Sequence, residues 1–343
     1  MNRKYRLSNV DASCTKRTHI AAVMTTAAVL SVLVAAAALR FGSASLSFAD
    51  FFRALFREPG YETYTVILYH IRLPRVAGGI LAGVGLATAG VLLQSVTAND
   101  LAGPNIIGVN AGAGFAVILL LTFFPHAFLL SPLAAFVGAF LVTLVIVAVG
   151  NRAGGARNSV IFAGIAVTAV LNAGISFFSL LDADVLASYN HFSVGGLAGV
   201  SMDSLLIPSV ICAAGLLVTL LLARRIDLLC LGDTLAASLG VRVKVLRTVC
   251  FVLASALAAA VVSYAGLLGF VGLVVPHIAR KLVGCKTGVL VGTSALIGSI
   301  TVTLADLLGR VLFAPTEIPV GIMMAVIGAP FFLALLLRKG RDF

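Results

Sequence analysis

The chain has 343 residues, 60% of them hydrophobic and only 11% charged, with a mean hydropathy of +1.12 and a formal net charge of +11. Apolar runs of about 20 residues recur along it, matching a ~30 Å hydrocarbon core and excluding the pair of water-soluble domains that length alone would suggest. The runs are too long for barrel strands, and backbone groups in lipid must be satisfied internally, so the predicted fold class is all-α, a polytopic membrane helix bundle.

A basic tail at 1–19, carrying Arg3, Lys4, Arg6, Lys16 and Arg17, precedes the first apolar run at 20–39. That run exceeds the ~7 to 15 residues of a signal-peptide core and reads as an uncleaved first helix. Residues 46–56 place apolar side chains at helical spacing with Asp50 and Arg53 between them, the pattern of an interfacial amphipathic helix. Nine further spans are expected near 76–96, 106–124, 129–149, 159–181, 204–223, 248–265, 267–282, 288–308 and 319–337, making ten. The boundary within 264–270 is the least defined, since one broken or re-entrant helix there would change the count.

Charge placement tests this partition. With the N-terminus in the cytoplasm, 18 of the 24 Lys and Arg fall inside and six outside, namely Arg40, Arg53, Arg57, Arg72, Arg75 and Arg310. That is the bias of a positive-inside topology with both termini cytoplasmic. The loop at 182–203 holds three acids and no Lys or Arg, as an external loop should. Because the basic residues lie in short clusters between apolar runs, a nucleic-acid partner is not expected. Five scattered cysteines, Cys14, Cys212, Cys230, Cys250 and Cys285, form no Cys-x-x-Cys pair and read as packing residues. Gly79 and Gly83, or Gly108 and Gly112, have the spacing that lets helices approach closely in lipid.

The segment 224–247 stands apart, with seven ionisable residues in a chain otherwise poor in charge. It is too polar to span and too apolar to be a plain linker, so it reads as a cytoplasmic docking surface. Arg242, Lys244 and Arg247 would hold it at the inner membrane surface.

Ionisable groups within spans are costly and therefore informative. Asp306 and Arg310 have i, i+4 spacing and read as a neutralising pair. Glu317 and Pro319 suit the start of the last helix, and His277, Arg280 and Lys281 the end of the eighth. No phosphate-binding loop, metal-ligand spacing or nucleophile constellation is present in the sequence, so neither a cofactor, a metal nor a catalytic residue is expected. A pathway lined by small polar groups such as Gln94, Asn99 and Asn172 suits a bulky solute.

Several motifs in order resemble the FecCD-type permeases of ATP-binding-cassette importers for iron-siderophores, haem and cobalamin. They are Arg72-Leu-Pro-Arg75, Gly90-Val-Leu-Leu-Gln94, Asn99-Asp-Leu-Ala-Gly-Pro104, Leu231-Gly-Asp-Thr-Leu-Ala-Ala-Ser-Leu-Gly-Val241 and Gly269-Phe-Val-Gly-Leu-Val-Val-Pro-His-Ile-Ala-Arg280. The last runs from Asp306-Leu-Leu-Gly-Arg310 through Glu317-Ile-Pro-Val-Gly321 to Gly328-Ala-Pro-Phe-Phe332. The resemblance implies a type II ABC importer permease architecture in the bacterial or archaeal cytoplasmic membrane. A single transmembrane permease domain would occupy 20–340, with 224–247 as its cytoplasmic coupling insert.

The implied partners are two cytoplasmic ABC ATPase subunits, a second permease subunit, an extracytoplasmic solute-binding protein and membrane lipid. Arg72, Arg75 and Arg310 would dock the binding protein, the alternative for Arg72 and Arg75 being helix anchors at the headgroups. Asn99 and Leu101 would form the cytoplasmic gate. Leu231, Gly232, Ala236, Leu239, Gly240 and Val241 would couple to the ATPases. Asp100 and Gly103 depart from the family pattern, which has Pro and Asp there. The expected function is import of a ferric siderophore, with cobalamin or haem as alternatives in the same family. An ion-driven secondary transporter and an intramembrane enzyme are the competing classes.

Overall fold

The computed structural model describes residues 4–43, 47–153 and 157–339. Arg3, Leu46 and Arg341 lie outside them, as do the side chains of Lys4, Arg6, Cys14, Lys16, Arg157, Arg338 and Lys339. The described residues form an all-helical bundle without a strand: α1 (Lys4–Arg40), α2 (Phe48–Leu55), α3 (Glu62–Val66), α4 (Leu73–Thr97), α5 (Val109–Phe123), α6 (Ser131–Arg152), α7 (Arg157–Leu181), α8 (Ala183–Val194), α9 (Met202–Leu229), α10 (Asp233–Ser238), α11 (Val243–Ala265), α12 (Val271–Val283), α13 (Thr287–Val311) and α14 (Val320–Lys339).

Among the described residues, seven helical stretches are long and apolar enough to cross a membrane: 17–40, 62–97, 125–152, 159–181, 202–229, 243–265 and 287–311. Each of the ten expected runs contains a helix, but two are shorter than expected as spans. α5 has 15 residues and α12 has 13, or about 22 and 20 Å at 1.5 Å per residue. α14, Val320–Lys339, has 20 residues and covers the expected run. α12 starts late because the chain leaves helical geometry between α11 and α12, where Gly266 and Phe270 adopt φ of 66° and 64°.

The second helical stretch starts at Glu62, well before the expected 76. A π-helical turn, Ile67–Arg72, joins α3 to α4 without a break. Its extra residue per turn shifts the helix register just ahead of Arg72 and Arg75. α1 likewise begins at Lys4, so no break separates the basic tail from the first run. The acidic loop after α7 contains a helix that apolar periodicity did not reveal. Asp182 caps α8, its Oδ1 accepting from the backbone N–H of Asp184 at 2.8 Å.

α4 is the axis of the bundle and packs most extensively on α13 and α11. Leu86, Leu92, Leu93 and Val96 are buried along it. Small residues set the spacing. A Cβ on Gly83 would overlap the Gly298 backbone of α13, and one on Gly90 would overlap Gly272 of α12. Such close backbone approach is how helices gain van der Waals contact where lipid is as apolar as leucine. Cys212 and Cys250 are buried in this core, whereas Cys230 and Cys285 are exposed, contrary to a common packing role. Residues 48–55 do form the expected amphipathic helix. Ser47 and Asp50 make a reciprocal capping box, and Phe48, Phe52 and Leu55 are exposed.

Candidate functional site

The α4–α13 crossing dictates what happens at one end of the bundle. The two helices run antiparallel, with Gly83 against Gly298. Arg75 lies eight residues from Gly83 toward that end, and Asp306 eight residues from Gly298, so each is about 12 Å along its axis from the crossing. They meet there. Arg75 Nε donates to Asp306 Oδ1 and Oδ2 at 3.0 and 3.1 Å, and Nη2 lies 2.9 Å from Oδ1.

Arg310, one turn beyond Asp306, places Nε 3.0 Å from Oδ2, so the expected i, i+4 pair is present within a larger cluster. Arg75 Nη1 donates to Glu317 Oε2 at 2.6 Å, and Ser43 Oγ donates to the other Glu317 oxygen at 2.6 Å. Glu317 lies in the segment between α13 and α14. Burial pushes its carboxyl pKa up, but the hydrogen bonds from Ser43 and Arg75 and the adjacent guanidinium charges outweigh that and hold it below its ordinary value.

The same end closes α1. Arg72 Nη1 donates to the carbonyls of Leu39 and Arg40 at 2.9 and 2.7 Å, and Arg310 Nη2 to that of Ala38 at 3.3 Å. These are last-turn carbonyls without helical partners, where a cation is favoured. The structure therefore gathers Arg72, Arg75 and Arg310, but with exposures of 3, 6 and 2% it turns all three inward. Arg75 and Glu317 both reach the wall of a cavity of about 650 Å³, whose lining includes Leu121, His191, Gly196 and Tyr264.

At the opposite end, α4 finishes at Ala98, in left-handed geometry with φ 47°. Asn99 Oδ1 accepts from the Leu101 N–H at 3.0 Å, an Asx turn that fixes the loop. Leu101 lines a small hollow of about 80 Å³ with Leu86, Pro104 and Phe270. The Gly90–Gly272 approach brings Gln94 to α12, where its Nε2 donates to the Leu273 carbonyl at 3.3 Å and its Oε1 accepts from Arg280 at 2.9 Å. Arg280 also pairs with Asp100 at 2.7 Å. Asp100, one of the two departures, thus ties the loop of Asn99 and Leu101 to α12.

The insert folds as the short helix α10 between α9 and α11. Ala236 is fully buried, and Val241 packs against the core. Gly232 and Gly240 take φ of 110° and 82°, a geometry that favours glycine. Leu231, Leu235 and Leu239 are 58, 57 and 58% exposed, an apolar patch on a polar segment. Arg247 corrects the expectation that it anchors the insert at the membrane surface. It is buried and donates to both Asp233 oxygens at 2.8 Å, fixing α10 on α11. Asp227, near the end of α9, accepts from the Thr287 N–H at 2.8 Å and caps α13 across the same end.

The bundle thus has two structured ends. One end holds a buried charge network beside a cavity, and the other an apolar knob beside a tied loop. No cluster of three or more potential metal ligands occurs among the described residues.

Known proteins resemble this chain in sequence and in fold. The model of the FecCD transport family matches residues 28–338. The Fe(3+)-citrate import system permease protein of Bacillus subtilis (strain 168) is 38% identical over 284 residues, covering 82% of this chain and 84% of the relative. The iron(3+)-hydroxamate import system permease protein FhuB of the same organism is 33% identical over 344 residues, covering 99% and 89%. The hemin transport system permease protein of Yersinia pestis is 33% identical over 320 residues, covering 91% and 94%. Among solved structures, an inward-facing metal-chelate type ABC transporter superposes with a TM-score of 0.81 at 29% identity, covering 92% of this chain and 99% of that one. With a family match over nearly its whole length, the chain belongs to the FecCD transport family.

Proposed function

We propose that the chain is the membrane-spanning permease subunit of an ABC importer that carries a ferric siderophore across the cytoplasmic membrane of a bacterium or archaeon. The observation that carries this is the family match over 28–338, joined to relatives named as Fe(3+)-citrate and iron(3+)-hydroxamate permeases. Haem is the second reading, because a hemin permease matches over 91% of the chain.

In this reading the Arg75 end faces outward and the α10 end the cytoplasm, in keeping with the distribution of Lys and Arg, and both termini are cytoplasmic. The ten helical runs form one permease domain at 20–340, and a second permease subunit completes the pathway. Of the two ATPase subunits, one seats on the Leu231, Leu235 and Leu239 patch and the other on the second permease subunit, with Gly232, Ala236, Gly240 and Val241 shaping the element that carries the patch. Asn99 and Leu101 gate the pathway at the cytoplasmic end. The extracytoplasmic binding protein docks at the opposite end, where Arg75 reaches the cavity while Arg72 and Arg310 hold the platform. The chain carries no ATPase of its own; energy reaches it as differential contacts at α10 in the two states of its partners.

The test is uptake by the full importer reconstituted in liposomes. ATP-dependent accumulation of 55Fe-siderophore, but not of haem, supports the first reading, and the converse supports the second. Uptake by the isolated chain without ATP overturns both.

A further inference from the structure

We propose that Glu317 is an exchangeable internal partner of Arg75, and that a carboxylate of the docking binding protein takes its place, freeing the start of α14. This rests on the docking reading above and concerns how docking is registered by the chain.

The two carboxylates on Arg75 are not equivalent. Asp306 is 2% exposed and engages Arg75 through both oxygens. Glu317 makes a single contact from Nη1, its side chain is 30% exposed, and it belongs to a connecting segment rather than a helix. Of the two, only Glu317 lines the 650 Å³ cavity that Arg75 also reaches, so a side chain entering there meets the replaceable partner first.

The surroundings suit an anionic entrant: Arg75 and Arg310 contact the carboxylates of Asp306 and Glu317, and the Arg72 guanidinium lies close enough to Arg310 to add positive potential. Removing a partner from a buried cation is strongly unfavourable, but exchanging one carboxylate for another never leaves Arg75 bare. The exchange is therefore accessible where simple breakage is not.

Its consequence lies in the chain. Glu317 sits three residues before α14, and its neighbour Ile318 donates to the Gly309 carbonyl at 3.0 Å, while Gly321 donates to that of Gly195 at 3.1 Å. The Glu317–Arg75 contact thus pins the entry of α14 to α4. Once released, the entry of α14 keeps its backbone ties to α13 and to the loop after α8, while the body of α14 stays packed on α12 and α13.

The experiment uses the full chain with its ATPase subunits in lipid nanodiscs, probed with the solute-binding protein that co-purifies with the importer. Docking affinity is read by surface plasmon resonance, and amide exchange of 318–324 by mass spectrometry. Glu317→Gln should tighten docking about tenfold, with exchange at 318–324 already raised before the binding protein is added. Ser43→Ala, which loosens Glu317 without removing its charge, should move both in the same direction by less. Unchanged or weaker docking in Glu317→Gln, with Arg75→Gln still weakening it, overturns the exchange and leaves the docking reading standing. Unaltered docking in Arg75→Gln overturns the docking reading and the exchange with it.

Discussion

Arg75 and Asp306, 231 positions apart in the chain, meet in a buried contact of 3.0 and 3.1 Å that also draws in Arg310. One carboxylate at 2% exposure faces two guanidinium groups, so its loss leaves both short of their shared counter-charge. Asp306→Asn should cost about 3 kcal/mol, the scale for breaking a buried pair from one side. Thermal unfolding in detergent should show a clear fall in midpoint. A variant as stable as the parent would mean that the cluster is hydrated rather than buried.

Two glycines separate steric from conformational demand. At Gly83 any Cβ meets the Gly298 backbone, which has no flexible end to yield. Gly83→Val should therefore part α4 from α13, destabilising the chain by roughly 3 kcal/mol, the upper range for overpacking. At Gly240 there is open space but φ is 82°, so Gly240→Ala should cost only about 1 kcal/mol of backbone strain. Size-exclusion recovery after heating should rank the first variant well below the second.

The helices were legible because apolar runs of membrane length have few alternatives in lipid. The α10 insert was legible from its charge alone, and Asp306 and Arg310 from their spacing. Three features were not. The π turn before Arg72 leaves no mark in hydropathy, so the helix seemed to begin where apolarity begins. α8 is announced only by the Asp182 cap. The inward turn of Arg72, Arg75 and Arg310 depends on partners more than 200 positions away, or on α1 carbonyls, and a linear reading put these cations at the surface. Arg247 was misread in the same way, because its partner Asp233 belongs to a helix of only six residues.

The α10 patch separates assembly from folding. Leu231, Leu235 and Leu239 are each more than half exposed, so their truncation removes little internal packing. In a seated interface, by contrast, each would be worth about 1 to 2 kcal/mol. The triple change to Ser should leave thermal stability within about 0.5 kcal/mol of the parent while abolishing co-purification of the ATPase subunits. Undiminished co-purification would place their contact elsewhere.

The Asp100–Arg280 bridge calls for a local readout. Asp100 has 49% of its side-chain surface exposed and Arg280 18%, so water screens the pair and its contribution is about 0.5 to 1 kcal/mol. That is too little to move global unfolding, yet it acts on a short loop with few other ties. The loop's described side-chain bonds are the Asn99 turn onto Leu101 and this bridge, with Gln94 sharing Arg280 from α4. Asp100→Asn should raise amide exchange at 99–103 roughly two- to fivefold, the factor that 0.5 to 1 kcal/mol gives, with the thermal midpoint unmoved. Arg280→Gln should raise it further, because it also strips Gln94 of its donor. Equal exchange in the parent and in Asp100→Asn would mean that the Asn99 turn alone holds this loop.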